Sequence, residues 1–162
     1  KQRIRLEYLR QQVQPHFLLK TLNIVYSYEQ QEYPLIQEMI LNLIKYFRYI
    51  VRVNASYVEM GHELDHIRNY LDIQTIRYPS AFHAEVICAD TLQDCLVPPL
   101  LIQNFVENAF KNGMDLDHPF HIQVRVEQVT EDTLIVVIED NGKGFSEEVM
   151  EALKVFRESG TH

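Results

Sequence analysis

Pro98-Pro99-Leu100-Leu101-Ile102-Gln103-Asn104-Phe105-Val106-Glu107-Asn108-Ala109-Phe110-Lys111-Asn112-Gly113 sets three asparagines, Asn104, Asn108 and Asn112, four residues apart. The proline pair opens a helix that runs to about Lys111, and Asn112-Gly113 stops it. At this spacing the three amides share one helix face. Lys111 lies beside them, and Phe105, Val106 and Phe110 are left to pack elsewhere. Amide oxygens complete a Mg²⁺ octahedron alongside phosphate and water oxygens, and a lysine neutralises phosphate charge. Further along, Asp140-Asn141-Gly142-Lys143-Gly144 follows Thr133–Ile138 (TLIVVI), a continuous β-branched run that predicts a buried strand. A carboxylate at a strand end accepts a hydrogen bond from an adenine amino group, and glycines let the backbone approach the base. By itself, D-N-G-x-G is a plain turn signal. Coming after the asparagine helix, it points to a nucleotide site.

The flanking segments predict the frame. Phe82–Cys88 reads as a strand, His121–Val129 alternates, Glu131-Asp132 turns, and Glu147–Arg157 returns to helix. Strand, helix, hairpin, helix is an α+β arrangement with helices over one face of a sheet. Before Pro79 the chain is helical. Leu6, Leu9 and Val13 form a stripe that Leu19, Leu22 and Val25 resume, with a kink or restart expected at Gln14-Pro15-His16. A second helix starts at Pro34 with Ile36, Ile40, Leu43, Phe47 and Ile50 spaced 4-3-4-3, a bundle seam. Leu41, Ile44 and Val51 widen that stripe beyond one partner helix, which predicts a homodimer through a helical bundle. A third helix carries Met60, Leu64, Ile67 and Leu71 and ends near Tyr78-Pro79. The change of texture at Pro79 divides the chain into 1–79 and 80–162.

Composition bounds the function. The 162 residues are 46% hydrophobic and 23% charged, which describes a folded globular chain and excludes a disordered one. Fifteen basic against 23 acidic residues give a net charge of −8, which argues against nucleic acid or an anionic membrane as the main partner. No run of 18 apolar residues and no signal-peptide core is present in the sequence. Lys1–Leu9 reads as the middle of a charged amphipathic helix, so the chain is expected to be part of a longer protein. Cys88 and Cys95 form neither a C-x-x-C pair nor a Cys/His cluster, and are expected to be free thiols in a reducing compartment.

Two histidine motifs compete for chemistry. His62-Glu63-Leu64-Asp65-His66 fits H-E-x-x-H, in which two imidazoles bind zinc and the glutamate activates water, with Glu85 as a conceivable third ligand. Both histidines, however, are expected opposite the Met60, Leu64, Ile67 and Leu71 stripe, facing solvent. His16 follows a proline and lies seven residues after Leu9, nearly on the partner-facing stripe. A neutral imidazole nitrogen is a nucleophile near pH 7 and forms a phosphoramidate when a γ-phosphoryl group reaches it.

These segments together resemble the catalytic core of LytS/YesM-type sensor histidine kinases, whose ATP domain belongs to the gyrase–Hsp90–histidine kinase–MutL superfamily. Gln12-Val13-Gln14-Pro15-His16-Phe17-Leu18 resembles the family's phosphoacceptor segment. Glu63 through Tyr70-Leu71-Asp72-Ile73-Gln74 to Arg77-Tyr78 resembles its E-L…Y-L-x-I…R-[FY] helix, which accounts for the zinc-like motif. Pro98 to Gly113 resembles the N box and Asp140 to Gly144 the G1 box, so the likeness runs from about Leu9 to Gly144.

The resemblance implies a helical dimerisation and phosphotransfer region at 1–79 and an α/β-sandwich ATP-binding domain at 80–162. It implies phosphoryl transfer from Mg·ATP to His16, then to an aspartate of a response regulator. Asn104, Asn108, Lys111, Asn112, Asp140, Gly142 and Gly144 become the nucleotide residues, with Asn108 the Mg²⁺ ligand, Lys111 a phosphate contact and Asp140 the adenine reader. Superfamily ATPases place a water-activating glutamate where this chain has Asn104, which favours transfer to histidine over hydrolysis. Lys20, Gln14, Asn104 and Asn112 depart from the family's usual residues. Phe17 replaces the acidic neighbour that many histidine kinases use as base, leaving Glu107 as a candidate on chemistry alone. A second glycine box is expected where the chain reaches Ser159-Gly160-Thr161-His162, so the ATP domain is expected to be incomplete. The setting implied is the cytoplasmic domain of a membrane-anchored sensor, meeting the membrane only through other segments. The rival readings are a non-catalytic helical interaction protein and a zinc hydrolase on His62 and His66.

Overall fold

The computed structural model describes residues 15–27, 33–52 and 55–144. The expectations placed on Leu6, Leu9 and Val13, on Glu147–Arg157 and on Ser159–His162 lie outside them. The elements run α1 (Pro15–Ser27), α2 (Tyr33–Arg52), β1 (Val58–Glu59), α3 (Met60–Arg77), β2 (Phe82–Cys88), a 3₁₀ turn (Asp90–Leu92), β3 (Leu96–Val97), α4 (Leu101–Gly113), β4 (Phe120–Thr130) and β5 (Thr133–Asp140). This is an α+β fold.

The main sheet has the order β2-β4-β5. β2 runs parallel to β4, with His83 opposite His121, because α4 carries the chain across between them. β4 and β5 form an antiparallel hairpin in which Ile122 faces Asp140 and Val124 faces Ile138. Alternation then sorts the side chains. Phe82, Phe120, Ile122, Val124 and Val126 are buried beneath α3 and α4, while His83, Glu85, His121 and Glu139 stay exposed on the other face. Thr133–Ile138 departs from the buried strand that its composition suggests. β5 is the last strand of the sheet among the described residues, and Val136 and Ile138 are only half-buried while Ile135 is exposed. A β-branched run reports strand preference, not depth.

α3 is the central helix, packed by α2 on one side and by α4 and β2 on the other. Its predicted stripe, Met60, Leu64, Ile67 and Leu71, is buried, but so are Glu63, His66, Tyr70, Ile73 and Gln74. One stripe describes a helix with one covered face, and α3 has two. The solvent-facing expectation for His66 is therefore corrected, while His62 is exposed as expected. On α2 the buried row is Met39, Leu43, Tyr46 and Ile50, with Ile40 turned outward. Leu41, Ile44 and Val51 are exposed, as are Leu19 and Leu22 of α1.

A single apolar core runs from Phe17 through α2 and α3 to Val126, so it is continuous across Pro79. Phe17 rests on Tyr46 and Tyr70 at centroid distances of 5.2 and 5.1 Å, and Phe110 of α4 meets Tyr70 edge-on at 6.2 Å. Aromatic pairs at these separations add about 0.5–1.5 kcal/mol each beyond area burial. The helix bearing His16 and the helix bearing the asparagines are thus two contacts apart.

Candidate nucleotide site

α4 and β5 make the walls of a cavity of about 670 Å³. From α4 come Leu101, Ile102, Phe105, Asn108, Ala109, Asn112 and Gly113, which recur at helical spacing. From β5 come Val136, Ile138 and Asp140, alternate residues on one sheet face, and Val97 and Gly144 complete the lining. The volume and the mixture of apolar walls with a few polar groups are those of a small-molecule site.

The Asp140 turn is built by its own side chains. Asp140 Oδ1 accepts the Gly142 N–H at 2.9 Å. Asn141 Oδ1 accepts the His121 N–H at 2.7 Å, and its Nδ2 donates to the Pro119 carbonyl at 3.0 Å, fixing the turn to the start of β4. Lys143 reaches Asp115 at 2.9 Å and holds that carboxyl below the usual carboxylate range. Gly142 backs onto Gly113 at the end of α4. A Cβ on Gly142 would stand 2.4 Å from Gly113 Cα, and one on Gly113 would stand 2.5 Å from the Phe120 ring. Gly144 has φ +70°, in the left-handed region.

Of the residues singled out from sequence, the structure brings Asn108, Asn112, Asp140 and Gly144 to one cavity. Asn104 and Lys111 are exposed on α4 and do not line it; Gly142 supports the turn from behind. His16 is on α1. Glu107 lies one residue before Asn108, about 100° around the helix, and is buried toward α2 and α3. It accepts hydrogen bonds from Tyr46 at 3.0 Å and from Gln103, and burial raises its carboxyl pKa.

Glu63 is the residue whose role the sequence concealed. It is 0% exposed. Its Oε2 accepts the Leu100 N–H at 2.9 Å, and its Oε1 accepts Ile102 N–H at 3.2 Å and Gln103 N–H at 3.3 Å. Tyr49 donates to Oε2 at 2.8 Å. The N-cap position of α4 is Leu100, left-handed at φ 62° and without a side-chain cap of its own. Glu63 supplies the cap from another helix, at the end where an anion is favoured. With its oxygens committed to α4, Glu63 has no water-activating role. His66 lies between the rings of Tyr46 and Tyr49 at 4.7 and 4.3 Å. Of the zinc-like motif, Glu63 is a helix cap and His66 is core, while His62 is exposed.

Burial lowers the His66 pKa to about 3. An unfolded histidine titrates near 6.5, so below that pH the unfolded chain holds a proton that the native chain lacks. This term therefore removes stability on acidification, about 1.4 kcal/mol per pH unit from 6.5 toward 3. Glu107, with its pKa raised, acts in the opposite direction, so a variant isolates the histidine. Urea midpoints at pH 7 and pH 5 should show wild type losing about 2 kcal/mol more than His66→Phe. Equal losses would rule out a neutral buried His66.

Two family models match the chain. The one described as "Histidine kinase" covers residues 4–82, and the one described as "Histidine kinase-, DNA gyrase B-, and HSP90-like ATPase" covers residues 98–162. The second describes the class of α/β sandwich to which the α4–β5 cavity belongs. "Sensor histidine kinase/phosphatase LytS" of Staphylococcus aureus strains Mu50, N315 and MW2 is 32% identical over 158 residues, covering 94% of this chain and 27% of each relative. The chain spans about a quarter of the length of the curated relatives it matches. It belongs to the LytS-type histidine kinases.

Proposed function

We propose that the chain is a kinase core that transfers the γ-phosphoryl group of ATP to His16, and then to an aspartate of a response regulator's receiver domain. The observation that carries the reading is the meeting of Asn108, Asn112 and Asp140 in one apolar-walled cavity, on the helix and strand of the ATPase-type match. The cavity fits a nucleotide. Val136, Ile138, Ala109 and Phe105 offer apolar contact to a planar base, and the Asp140 carboxylate stands beside them to accept from an exocyclic amine. The Asn108 and Asn112 side chains make no hydrogen bond among the described residues. They are available to phosphate oxygens and to Mg²⁺, which Asn108 would hold, and Mg²⁺ would neutralise phosphate charge. Lys111 and Asn104 are exposed on the same helix outside the cavity lining, and in this reading Lys111 is the phosphate contact.

The division at residues 79 and 80 is proposed on the same footing, supported by family matches that end at 82 and resume at 98. The exposed Leu19, Leu22, Leu41, Ile44 and Val51 support a homodimer through α1 and α2. No described helix is long and apolar enough to cross a membrane. The setting proposed is the cytoplasmic side of a membrane-anchored sensor.

Thermal denaturation with Mg·ADP and Mg·ATP tests the site. A ligand at about 100 times its Kd stabilises by roughly 2.7 kcal/mol. For a chain of this size that raises the midpoint by about 5–10 °C, and Asn108→Ala should abolish the rise. A zinc-induced rise removed by His62→Ala, with none from nucleotide, would overturn the reading.

A further inference from the structure

Arg77 closes α3 at the junction between the phosphoacceptor helix and the nucleotide helix. Its guanidinium lies 5.9 Å from the centroid of the Phe17 ring and 5.1 Å from that of Tyr78. Nη1 donates to Gln74 Oε1 at 2.8 Å and Nη2 to the Tyr78 hydroxyl at 3.2 Å. Nε is buried with no acceptor, and no carboxylate pairs with Arg77 among the described residues. Phe17 is the residue after His16. On the far side, Tyr78 packs on Phe110 at 5.9 Å, and Phe110 lies midway between Asn108 and Asn112 on α4.

A half-buried guanidinium with no anion beside it gives up part of its hydration without compensation. Its planar fork matches phosphoryl oxygens, and its face stacks on aromatic rings. Here the stacking is in place and the anion is not. The ring it stacks on is fixed to the backbone of His16, in a helix two ring contacts from α4.

We propose that Arg77 positions His16 for phosphoryl transfer and serves as the charge partner of the phosphoryl group that arrives there. This rests on the reading of His16 as phosphoacceptor. In the step, an imidazole lone pair of His16 attacks the γ-phosphorus and an N–P bond forms. The bond to the β,γ-bridging oxygen breaks with its electrons left on ADP, and the ring N–H proton passes to water. Phe17, held by Arg77, Tyr46 and Tyr70, sets the register of α1 during the attack. The guanidinium neutralises charge on the transferred oxygens.

The test labels this chain with Mg·ATP and, separately, with phosphoramidate, which phosphorylates imidazole without a nucleotide site and releases ammonia. Peptide mass spectrometry then follows His16 against His62, which is exposed and serves as the internal reference. Arg77→Gln should slow His16 labelling by both donors on the order of 10- to 100-fold, leaving His62 labelling and Mg·ADP affinity unchanged. Arg77→Lys, which keeps the charge and loses the planar fork, should recover part of the rate. Wild-type labelling of His16 in Arg77→Gln overturns the proposal, as does loss of labelling together with Mg·ADP affinity, which marks a purely structural residue. Arg77-dependent labelling by phosphoramidate, with neither labelling nor a melting rise from Mg·ATP, upholds the Arg77 role and sinks the ATP reading. If wild-type His16 labels no faster than His62 with either donor, both fall.

Discussion

Glu63→Ala is expected to lower the melting temperature by roughly 6–12 °C, which corresponds to about 3 kcal/mol for a chain of this size. The magnitude follows from what the carboxylate holds. Three backbone N–H groups at the start of α4 and the Tyr49 hydroxyl all end on it, at 2.8–3.3 Å. Alanine leaves the three N–H groups without acceptors in a site that water does not reach, at about 1 kcal/mol or more each. The Leu100 turn loses its anchor as well. Its left-handed backbone at φ 62° is unfavourable for leucine by about 1–2 kcal/mol and persists because the surroundings hold it. Glu63→Gln keeps one acceptor oxygen and should recover part of the loss. Because α4 carries Asn108 and Asn112, the alanine variant should also show a weaker response to Mg·ADP. Circular dichroism melts with and without nucleotide decide the matter. A fall of less than about 2 °C, below the cost of one buried orphan donor, would mean that water or another group takes over the cap.

Glu63 also shows where a linear reading stops. Periodicity located α2, α3, α4 and both long strands because each has a local signature: a stripe, a proline start, an Asn-Gly stop or a β-branched run. Nothing local marks a cap that comes from a residue 37–40 positions away. In sequence, Glu63 sits inside H-E-x-x-H and suggests a metalloenzyme. In space, its partners are the backbone of another helix. The burial of His66 is hidden from a linear reading for a related reason. One apolar stripe implies one buried face, and nothing in Met60–Arg77 announces that a second face is covered by Tyr46 and Tyr49. The α2 seam slipped the same way, with Met39 and Tyr46 buried in place of Ile40.

The cavity was more legible than the core around it. Asn108, Asn112 and Asp140 carry their chemistry in their own side chains, and the elements beneath them set their direction. Helix period places the two asparagines together, and strand alternation puts Asp140 on the same face as Ile138 and Val136. Asn104 obeys the same four-residue spacing and still misses the cavity, although the lining reaches past it to Leu101: each four-residue step drifts about 40° around the helix, which turns Asn104 about 80° away from Asn112. What covers that helix face is a tertiary fact.

Gly142→Ala is expected to remove the nucleotide response. The new Cβ would stand 2.4 Å from Gly113 Cα, 3.0 Å from Gly113 O and 2.9 Å from Asp140 Oδ1. Two of these three atoms are backbone at the C-terminal end of α4, so the contact cannot be relieved by a rotamer change. Overpacking of this kind costs about 1–3 kcal/mol, and relief requires the turn to lift away from the helix. Asp140 moves with it, because the Gly142 N–H bonded to its Oδ1 belongs to the same turn. A binding constellation tolerates displacements of about 0.5 Å, whereas restoring ordinary contact between Cβ and Gly113 Cα needs about 1 Å. The melting rise of about 5–10 °C expected from saturating Mg·ADP should therefore shrink to about 2 °C or less in the variant. Lys143→Ala, one residue further on, is the control. It removes an exposed ion pair with Asp115, which solvent screens, and leaves the glycine contact intact, so the nucleotide response should persist. Calorimetric titration of both variants with Mg·ADP separates the outcomes. Wild-type affinity in Gly142→Ala would mean that the turn relaxes without displacing Asp140, or that Asp140 does not read the base. Loss of affinity in both variants would place the binding determinant in the Lys143–Asp115 bridge instead of in the packing of Gly142 on Gly113.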